Sequence, residues 1–496
     1  MTNDSKSYDM VVIGGGPAGI TAATAASHAG KSVALIDSNP EIGGAGINTG
    51  TVPSKTLRET ALALSGIKSR NLYGVDLSLH REVTVADFLG HEIHVRDAFH
   101  KTITQRLEML KATTYWGDCT FLDSHTVHLR LGSKNGETAP GPPAGELLLR
   151  AEKIIIATGS SPVRSSLFPF GHGEIYDSDT ILMLDRIPKT LAVVGAGVIG
   201  AEYACTFRAL GSEVCIIDGR DVLLPFLDTE VSKALVTALE RSGIVFHWKE
   251  KVQKCIAEEE EGISGGSGGG RAEESGSVRL ELSSGAVLTG DAVLVAAGRK
   301  SNTANLGLDK AGVKTGERGI IPVNEHYQTN IENIYAAGDV IGFPALASTS
   351  MEQARRAARH ALGLSQSAIS PLLPVGIYTI PEVSMVGETE ESLKKKGIPY
   401  ITGRANYWDN ARGRIIGDQD GFLKLLFRQD DQKLLGVHII GDHATEIVHI
   451  GLMAMMCNAS ANLFVDACFN MPTLGPLYKA ATLNALRAIP NPVKPA

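Results

Sequence analysis

The chain has 496 residues, of which 43% are hydrophobic and 20% are charged, and its formal net charge is −7. This length predicts roughly three to four domains, and the hydrophobic content is sufficient for large cores. The acidic balance and the lack of a long Lys and Arg run argue against a nucleic-acid-binding protein.

The spacing of the cysteines and the length of the apolar segments indicate the cellular compartment of the protein. The six cysteines show no C-x-x-C spacing, which argues against a zinc site or a dithiol motif and fits a reducing compartment. No apolar segment precedes the first predicted strand, and no apolar run reaches the roughly 18 residues of a membrane helix. We therefore expect a cytoplasmic protein with no metal site and no membrane segment.

The first predicted unit is a strand over residues 10–13, a G-x-G-x-x-G turn, an Ala-rich helix and a strand that ends at Asp37. In such a unit the first glycine makes the turn, the second admits a pyrophosphate and the third packs the helix on the strand. The helix N-terminus then points at the phosphates, and the acid accepts from a ribose hydroxyl. The three glycines are Gly14, Gly16 and Gly19.

The same design recurs after a predicted strand over residues 191–194, with Asp218 as the acid. In both copies the acid lies 18 residues past the third glycine, from 19 to 37 and from 200 to 218. A single motif would be weak in a chain with 54 glycines, but two complete copies predict two Rossmann-like dinucleotide-binding domains. The glycines of the second copy are Gly195, Gly197 and Gly200.

Other segments give weaker predictions. Thr349 to Glu352 is typical of a capping box that opens a helix through Leu362, and the Met-rich residues 452–456 predict core or interface packing. Two Gly-rich stretches, residues 133–146 and 258–277, are predicted to be loops between antiparallel strands.

Residues 43–55 resemble the active-site segment of the pyridine nucleotide-disulfide oxidoreductase family, G-G-x-C-x-x-x-x-C-x-P-S-K, whose cysteines form a redox disulfide beside a flavin. The cysteine positions hold Gly46 and Thr51. The family's H-P-T-x-x-E segment, whose His and Glu carry protons, holds Met471 and Pro476 at those two positions. The resemblance spans nearly the whole chain and implies a flavoenzyme that works without a disulfide.

The resemblance implies an α/β fold with two Rossmann-like domains and a C-terminal α+β dimerisation domain, and therefore a homodimer or a higher homo-oligomer. The implied division is residues 1–160 and 291–368 for FAD, 161–290 for NAD(P) and 369–496 for dimerisation. The residues implied to hold FAD are Gly14, Gly16, Gly19, Asp37, Lys55, Gly117, Gly159, Asp339 and Ala347. Those implied to hold NAD(P) are Gly195, Gly197, Gly200, Asp218, Arg220 and Gly298.

Within the family, residues 175–179, 339–348 and 469–473 are similar to those of the transhydrogenase subfamily. This implies hydride transfer from NADPH to flavin N5, followed by NAD⁺ in the same site with ping-pong kinetics. Lys55 is implied to lie near N5 and to pair with Glu202, because a buried lysine needs a partner. The alternatives are an NAD(P)H:quinone or dye oxidoreductase, and a flavin-binding protein that has lost catalysis.

The residues at the second acid point to both nucleotides. Asp218 suits the ribose hydroxyls of NAD and would repel the 2′-phosphate of NADP. Arg220, two residues on, can bind that phosphate through two hydrogen bonds. We expect a site that admits both nucleotides; the alternative is a solvated Arg220 in an NAD-linked enzyme.

Overall fold

The computed structural model describes residues 4–66, 83–134, 137–138, 145–258, 277–365 and 372–487. They form two compact units. The first unit contains the described residues of Met1–Thr56, Leu89–Val163 and Gly298–Ala368, and the second those of Leu57–Phe88, Arg164–Ala297 and Ile369–Ala496.

The elements follow in chain order. The strands are β1 (Asp4–Ile13), β2 (Val33–Asp37), β3 (Thr113–Phe121), β4 (Thr126–Leu131), β5 (Ser133–Lys134), β6 (Glu137–Thr138), β7 (Glu146–Ile156), β8 (Ser160–Pro162), β9 (Ile175–Asp177), β10 (Thr190–Val194), β11 (Glu213–Asp218), β12 (Val245–Trp248), β13 (Val252–Glu258), β14 (Ser277–Leu282), β15 (Val287–Gly290), β16 (Ala292–Val295), β17 (Arg299–Ser301), β18 (Ile334–Ala336), β19 (Val375–Ile377), β20 (Val383–Gly387), β21 (Tyr400–Asn406), β22 (Phe422–Arg428) and β23 (Leu434–Ile440). The α-helices are α1 (Pro17–His28), α2 (Gly44–Ile47), α3 (Thr51–Ser65), α4 (Val85–Met109), α5 (Val198–Ala209), α6 (Thr229–Arg241), α7 (Ala347–Ala361), α8 (Glu390–Lys396), α9 (Ala411–Ile416), α10 (Ala444–Met456), α11 (Ala461–Asp466) and α12 (Pro476–Leu486). Single 3₁₀ turns cover Ile181–Met183, Glu317–Gly319, Asp339–Ile341 and Tyr407–Asp409.

The first unit is built on a sheet in which β1 runs parallel to β2 and β7, and β7 runs parallel to β18. Successive side chains of β1 point to opposite faces, so Met10 and Val12 join one core cluster while Val11 and Ile13 join the other. On the first face, the alanines of α1 meet the alanines of α7, and these small side chains allow the two helices to approach closely. This packing supports the turn between β1 and α1.

The second unit contains a parallel sheet in the order β12-β11-β10-β16-β9. The central strands β10 and β16 are apolar runs with buried residues, as expected inside a parallel sheet. Beside it, β13, β14 and β15 form an antiparallel sheet. The predicted loop over residues 258–277 therefore joins antiparallel strands, but residues 259–276 lie outside the described part of the chain.

The C-terminal part of the second unit is an antiparallel sheet, β19-β20-β23-β22-β21. Alternate residues of β22 and β23 pack with α10, α11 and α12 in one core cluster. The α/β class with a C-terminal α+β region is confirmed. Among the described residues, no helix has the length and apolar character needed to cross a bilayer.

Two predictions need correction. The capping box at Thr349 is wrong, because α7 begins at Ala347 and Glu352 instead pairs with Arg355 and Arg356. Arginines three and four residues further along a helix compete for the carboxylate that the capping box needs. The predicted loop over residues 133–146 also contains the short β5–β6 ladder.

Candidate active site

The first glycine turn has the close packing that its motif predicts. Gly14 has a φ of 107°, and a Cβ there would clash with the carbonyl oxygen of Ala157 at the end of β7. A Cβ on Gly19 would clash with the carbonyl oxygen of Gly14. Gly16 is the N-cap of α1, and no described side chain caps this helix. The first-turn amides thus remain available for a phosphate.

Asp37 ends β2 beside this turn. One carboxylate oxygen accepts the Gly15 amide at 2.5 Å and the other accepts the Asn39 amide at 2.7 Å. Two backbone donors therefore fix the carboxylate at the carboxyl edge of the sheet, the position in which a Rossmann domain binds a ribose.

The second turn repeats this geometry. A Cβ on Gly195 would lie 2.5 Å from the Ala296 carbonyl oxygen after β16, and one on Gly200 would clash with the Gly195 carbonyl oxygen. Gly197 caps α5, and no described atom lies within 4 Å of the position that its Cβ would take. The space in front of α5 is therefore open for a pyrophosphate.

Asp218 and Arg220 form a two-bond ion pair. The Nε and Nη2 atoms of Arg220 donate to the two carboxylate oxygens of Asp218 at 2.9 and 2.8 Å. The Ala196 amide also donates to Asp218, at 2.7 Å. The hydrogen bond from Arg220 lowers the pKa of Asp218 to about 2, against the opposing effect of burial. The Arg220 side chain is nevertheless 50% exposed. It therefore forms an ion pair and is still accessible to a ligand, in contrast to the alternative of a solvated loop arginine.

A second cation lies beside this pair. The Cε atom of Lys251 is 3.2 Å from the position of a Cβ on Gly219, so the lysine chain lies close against the backbone between Asp218 and Arg220. No described carboxylate forms an ion pair with Lys251, in contrast to Arg220.

Asp339 begins the 3₁₀ turn after β18. It accepts a hydrogen bond from the Ser160 hydroxyl at 2.8 Å, and that hydroxyl accepts one from the Nε of Arg299 at 2.8 Å. Asp339 is expected from its sequence motif, whereas Ser160 and Arg299 are not, since β8 and β17 bring them together from distant parts of the chain. The arrangement fixes the carboxylate of Asp339 beside the first unit's sheet.

Helix α7 begins at Ala347, close after this turn. Thr349, in its first turn, is 2% exposed. Its hydroxyl has no hydrogen-bond partner among the described residues. A buried hydroxyl without a hydrogen-bond partner is uncommon. At the N-terminus of α7, such a hydroxyl is consistent with a helix end that faces a polar ligand.

Lys55 lies in the second turn of α3, partly buried, with Nζ 3.3 Å from the Ser54 hydroxyl. Glu202 lies on α5, is 6% exposed and accepts the Tyr378 amide at 2.9 Å. These two predicted catalytic residues belong to different compact units, so their pairing stays a prediction.

Three further glycines have positive φ values, 156° at Gly117, 68° at Gly159 and 110° at Gly298. Gly298 opens the last segment of the first unit, whereas the other predicted NAD(P) residues lie in the second unit. The ligand roles of these glycines stay predictions.

Family models match almost the whole chain. The pyridine nucleotide-disulphide oxidoreductase model matches residues 8–361, and the model of that family's dimerisation domain matches residues 373–481. The chain belongs to the pyridine nucleotide-disulphide oxidoreductase family. Membership implies the use of a flavin and a pyridine nucleotide.

Similar proteins extend over the same length. A soluble pyridine nucleotide transhydrogenase of Mycobacterium bovis is 43% identical, over 98% of this chain and 99% of that protein. One of Marinomonas sp. is 37% identical over the same shares. Among solved structures, LpdA from Mycobacterium tuberculosis has a TM-score of 0.83 at 25% identity, covering 96% of this chain and 99% of that one. The HOCl-induced flavoprotein disulfide reductase RclA from Escherichia coli has a TM-score of 0.82 at the same identity and coverage.

The positions that hold the redox cysteines and the proton-carrying histidine in this family hold other residue types in this chain. Gly46 is buried in α2, where a Cβ would clash with the ring of Pro17. Thr51 is exposed at the start of α3, and Met471 is 74% exposed. None of these side chains can be a redox thiol or an acid–base group.

Proposed function

We propose that the protein is an FAD-dependent transhydrogenase that moves hydride between NADPH and NAD⁺ without a redox disulfide. The observation that carries this proposal is a pair of complete dinucleotide turns in a chain whose dithiol positions hold Gly46 and Thr51. Relatives that are 43% identical and named soluble pyridine nucleotide transhydrogenases support it.

The first unit's residues would hold the flavin. The amides at the start of α1 suit the pyrophosphate, Asp37 suits the adenosine ribose and Asp339 suits the ribityl chain. These first two contacts favour FAD over FMN, which lacks the adenosine half. When bound, the flavin supplies a hydride carrier between two nicotinamides.

The second unit's residues would hold the nucleotides in turn. Gly197 leaves room for the pyrophosphate, and the Asp218–Arg220 pair suits either ribose. With NAD the pair stays closed and Asp218 accepts the ribose hydroxyls. With NADP, Arg220 turns to the 2′-phosphate, and Lys251 adds a second charge. The work of the protein is therefore positioning and electrostatics, with no acid–base step on a substrate.

Lys55 and Glu202 would act where the flavin is reduced. A lysine near the flavin stabilises the negative charge that reduction brings, and Glu202 balances the lysine. We also infer a homodimer, supported by the dimerisation-domain match, and a cytoplasmic location, supported by the free state of the six cysteines.

Steady-state kinetics test the proposal. Initial rates with NADPH and NAD⁺ should give parallel double-reciprocal lines, and NAD⁺ should be a far better acceptor than a benzoquinone. Preference for the quinone would instead support the diaphorase-like alternative. Release of only FMN on heating would contradict the FAD assignment.

A further inference from the structure

A buried arginine that the proposed function does not use lies on α3. The side chain of Arg58 is 5% exposed, and it follows Lys55 by one turn on the same helix. A buried guanidinium without partners would cost several kcal/mol. Its partners therefore indicate what the arginine does.

Arg58 binds the loop between β19 and β20. Its Nε donates to the Thr379 carbonyl oxygen at 3.2 Å, and its Nη2 lies 3.3 Å from a carboxylate oxygen of Glu382. The Glu382 side chain is 9% exposed. Its other oxygen accepts both the amide and the hydroxyl of Thr445, at 3.2 and 2.9 Å. The loop is thus clamped between α3 and α10.

The same loop holds Glu202. The Tyr378 amide donates to the Glu202 carboxylate at 2.9 Å, and Tyr378 directly precedes Thr379. Arg58 and Glu202 therefore bind backbone groups of two neighbouring residues in one short loop. Glu202 itself follows Gly200 by two residues on α5, at the nucleotide turn.

We propose that Arg58 is a positioning residue for hydride transfer, because it fixes the loop whose Tyr378 amide orients Glu202. The inference rests on the proposed function, in which Glu202 balances the charge of Lys55 where the flavin is reduced. Small displacements of a positioned group cost up to about a hundredfold in rate, so the loss of the clamp should slow hydride transfer.

A purely stabilising role is the alternative, and a charge-balanced double variant separates the two. Arg58→Met removes the guanidinium, and Glu382→Gln removes the charge that would otherwise stay buried and unpaired. Replacing both members of a buried pair is often neutral for stability, whereas removing one is costly. Arg241→Met is the matched control, since Arg241 forms an exposed ion pair with Asp420 in the same unit.

Two measurements on the FAD-loaded full chain test the proposal. Hydrogen exchange reports the protection of the Tyr378 amide, and anaerobic mixing with NADPH reports the rate of flavin reduction. In the double variant we expect the amide to lose protection and the rate to fall between about ten- and a hundredfold. The NADPH affinity and the FAD content should stay unchanged. Arg58→Lys, which keeps the charge, should recover part of both readouts.

A stable double variant in which either readout matches the wild type would overturn the proposal. If the double variant does not fold, Arg58→Lys with unchanged exchange and rate would do the same. A wild-type protein whose flavin NADPH does not reduce would contradict the proposed function instead, and the exchange measurement would still test the clamp.

Discussion

At the scale of single residues, we propose that the ion pair between Asp218 and Arg220 determines how two nucleotides share one site. Arg220→Ala should weaken NADPH far more than NADH, because it removes a charged two-bond contact worth about 2 kcal/mol, or about thirtyfold. Asp218→Asn should do the reverse. Steady-state kinetics of both variants with each nucleotide check this, with Arg241→Ala as a control. If Arg220→Ala weakened NADPH and NADH equally, Arg220 would not bind the 2′-phosphate, and the result would support the alternative of an NAD-linked enzyme.

The same pair has a pH signature. Because Arg220 holds the pKa of Asp218 at about 2, below its ordinary value of 3.8, the carboxylate stays charged at neutral pH. Its contribution to stability is complete above its ordinary pKa and is lost as the pH falls toward about 2. Between about pH 7 and 8, above the second pKa of a phosphate monoester near 6, neither Asp218 nor Arg220 titrates. The ratio of the NADPH and NADH kinetic constants should therefore not change in that range.

The missing dithiol gives a further residue-scale prediction. Gly46→Cys with Thr51→Cys should not create a lipoamide dehydrogenase, because Met471 and Pro476 cannot carry protons and the loss of acid–base catalysis costs about a hundred- to ten-thousandfold. Any side chain introduced in place of Gly46 must also displace the ring of Pro17. Oxidation of dihydrolipoamide by NAD⁺, with a thiol titration as control, is the assay. Rapid turnover would show that the missing His and Glu matter less than we argue.

At the scale of elements, a buried lysine on β22 joins the C-terminal sheet to α6. Lys424 is 2% exposed and lies 2.9 Å from Asp228, 3.0 Å from Glu230 and 2.5 Å from Glu390. Lys424→Met should lower the free energy of unfolding by about 3–5 kcal/mol, because the carboxylate of Asp228 stays buried without its cation. Lys394→Met, which removes an exposed partner of Glu390, should cost at most about 1 kcal/mol.

Thermal unfolding at several pH values checks this prediction. Burial acts to raise the pKa of Glu390, but its hydrogen bonds with Lys424 and Tyr400 outweigh burial and hold the pKa at about 2. The stability that Glu390 contributes is therefore present above its ordinary pKa of 4.5 and is lost as the pH falls toward about 2. Equal unfolding midpoints for Lys424→Met and Lys394→Met would contradict the buried network.

The sequence predicted the elements whose signals are local. Both glycine turns, and the strands that end at Asp37 and Asp218, are confirmed because strand, turn, helix and acid follow within one short segment. The capping box failed where arginines compete for Glu352. The clamp at Arg58 could not be predicted, since its contact with Thr379 spans 321 residues and no short motif encodes it.

At the scale of the whole molecule, we expect a homodimer that uses residues 369–496. On α10, Leu452 and Met455 are buried, but Met453 and Met456 are 54% and 51% exposed. The Met-rich segment therefore contributes to the core on one side and offers an apolar face on the other. Met453→Glu with Met456→Glu should shift the protein toward monomer in sedimentation runs, whereas Met183→Glu, at a residue 74% exposed, should not. A wild-type protein that is monomeric would contradict the prediction.

Anaerobic single-turnover spectroscopy tests the central claim most directly, that hydride passes between nucleotides through a flavin without a thiol. Addition of NADPH to the purified protein should bleach the flavin band, with no long-wavelength thiol charge-transfer band. Addition of NAD⁺ should then restore the flavin band and form NADH in equal amount. A flavin that NADPH bleaches but that only a quinone restores would contradict the account.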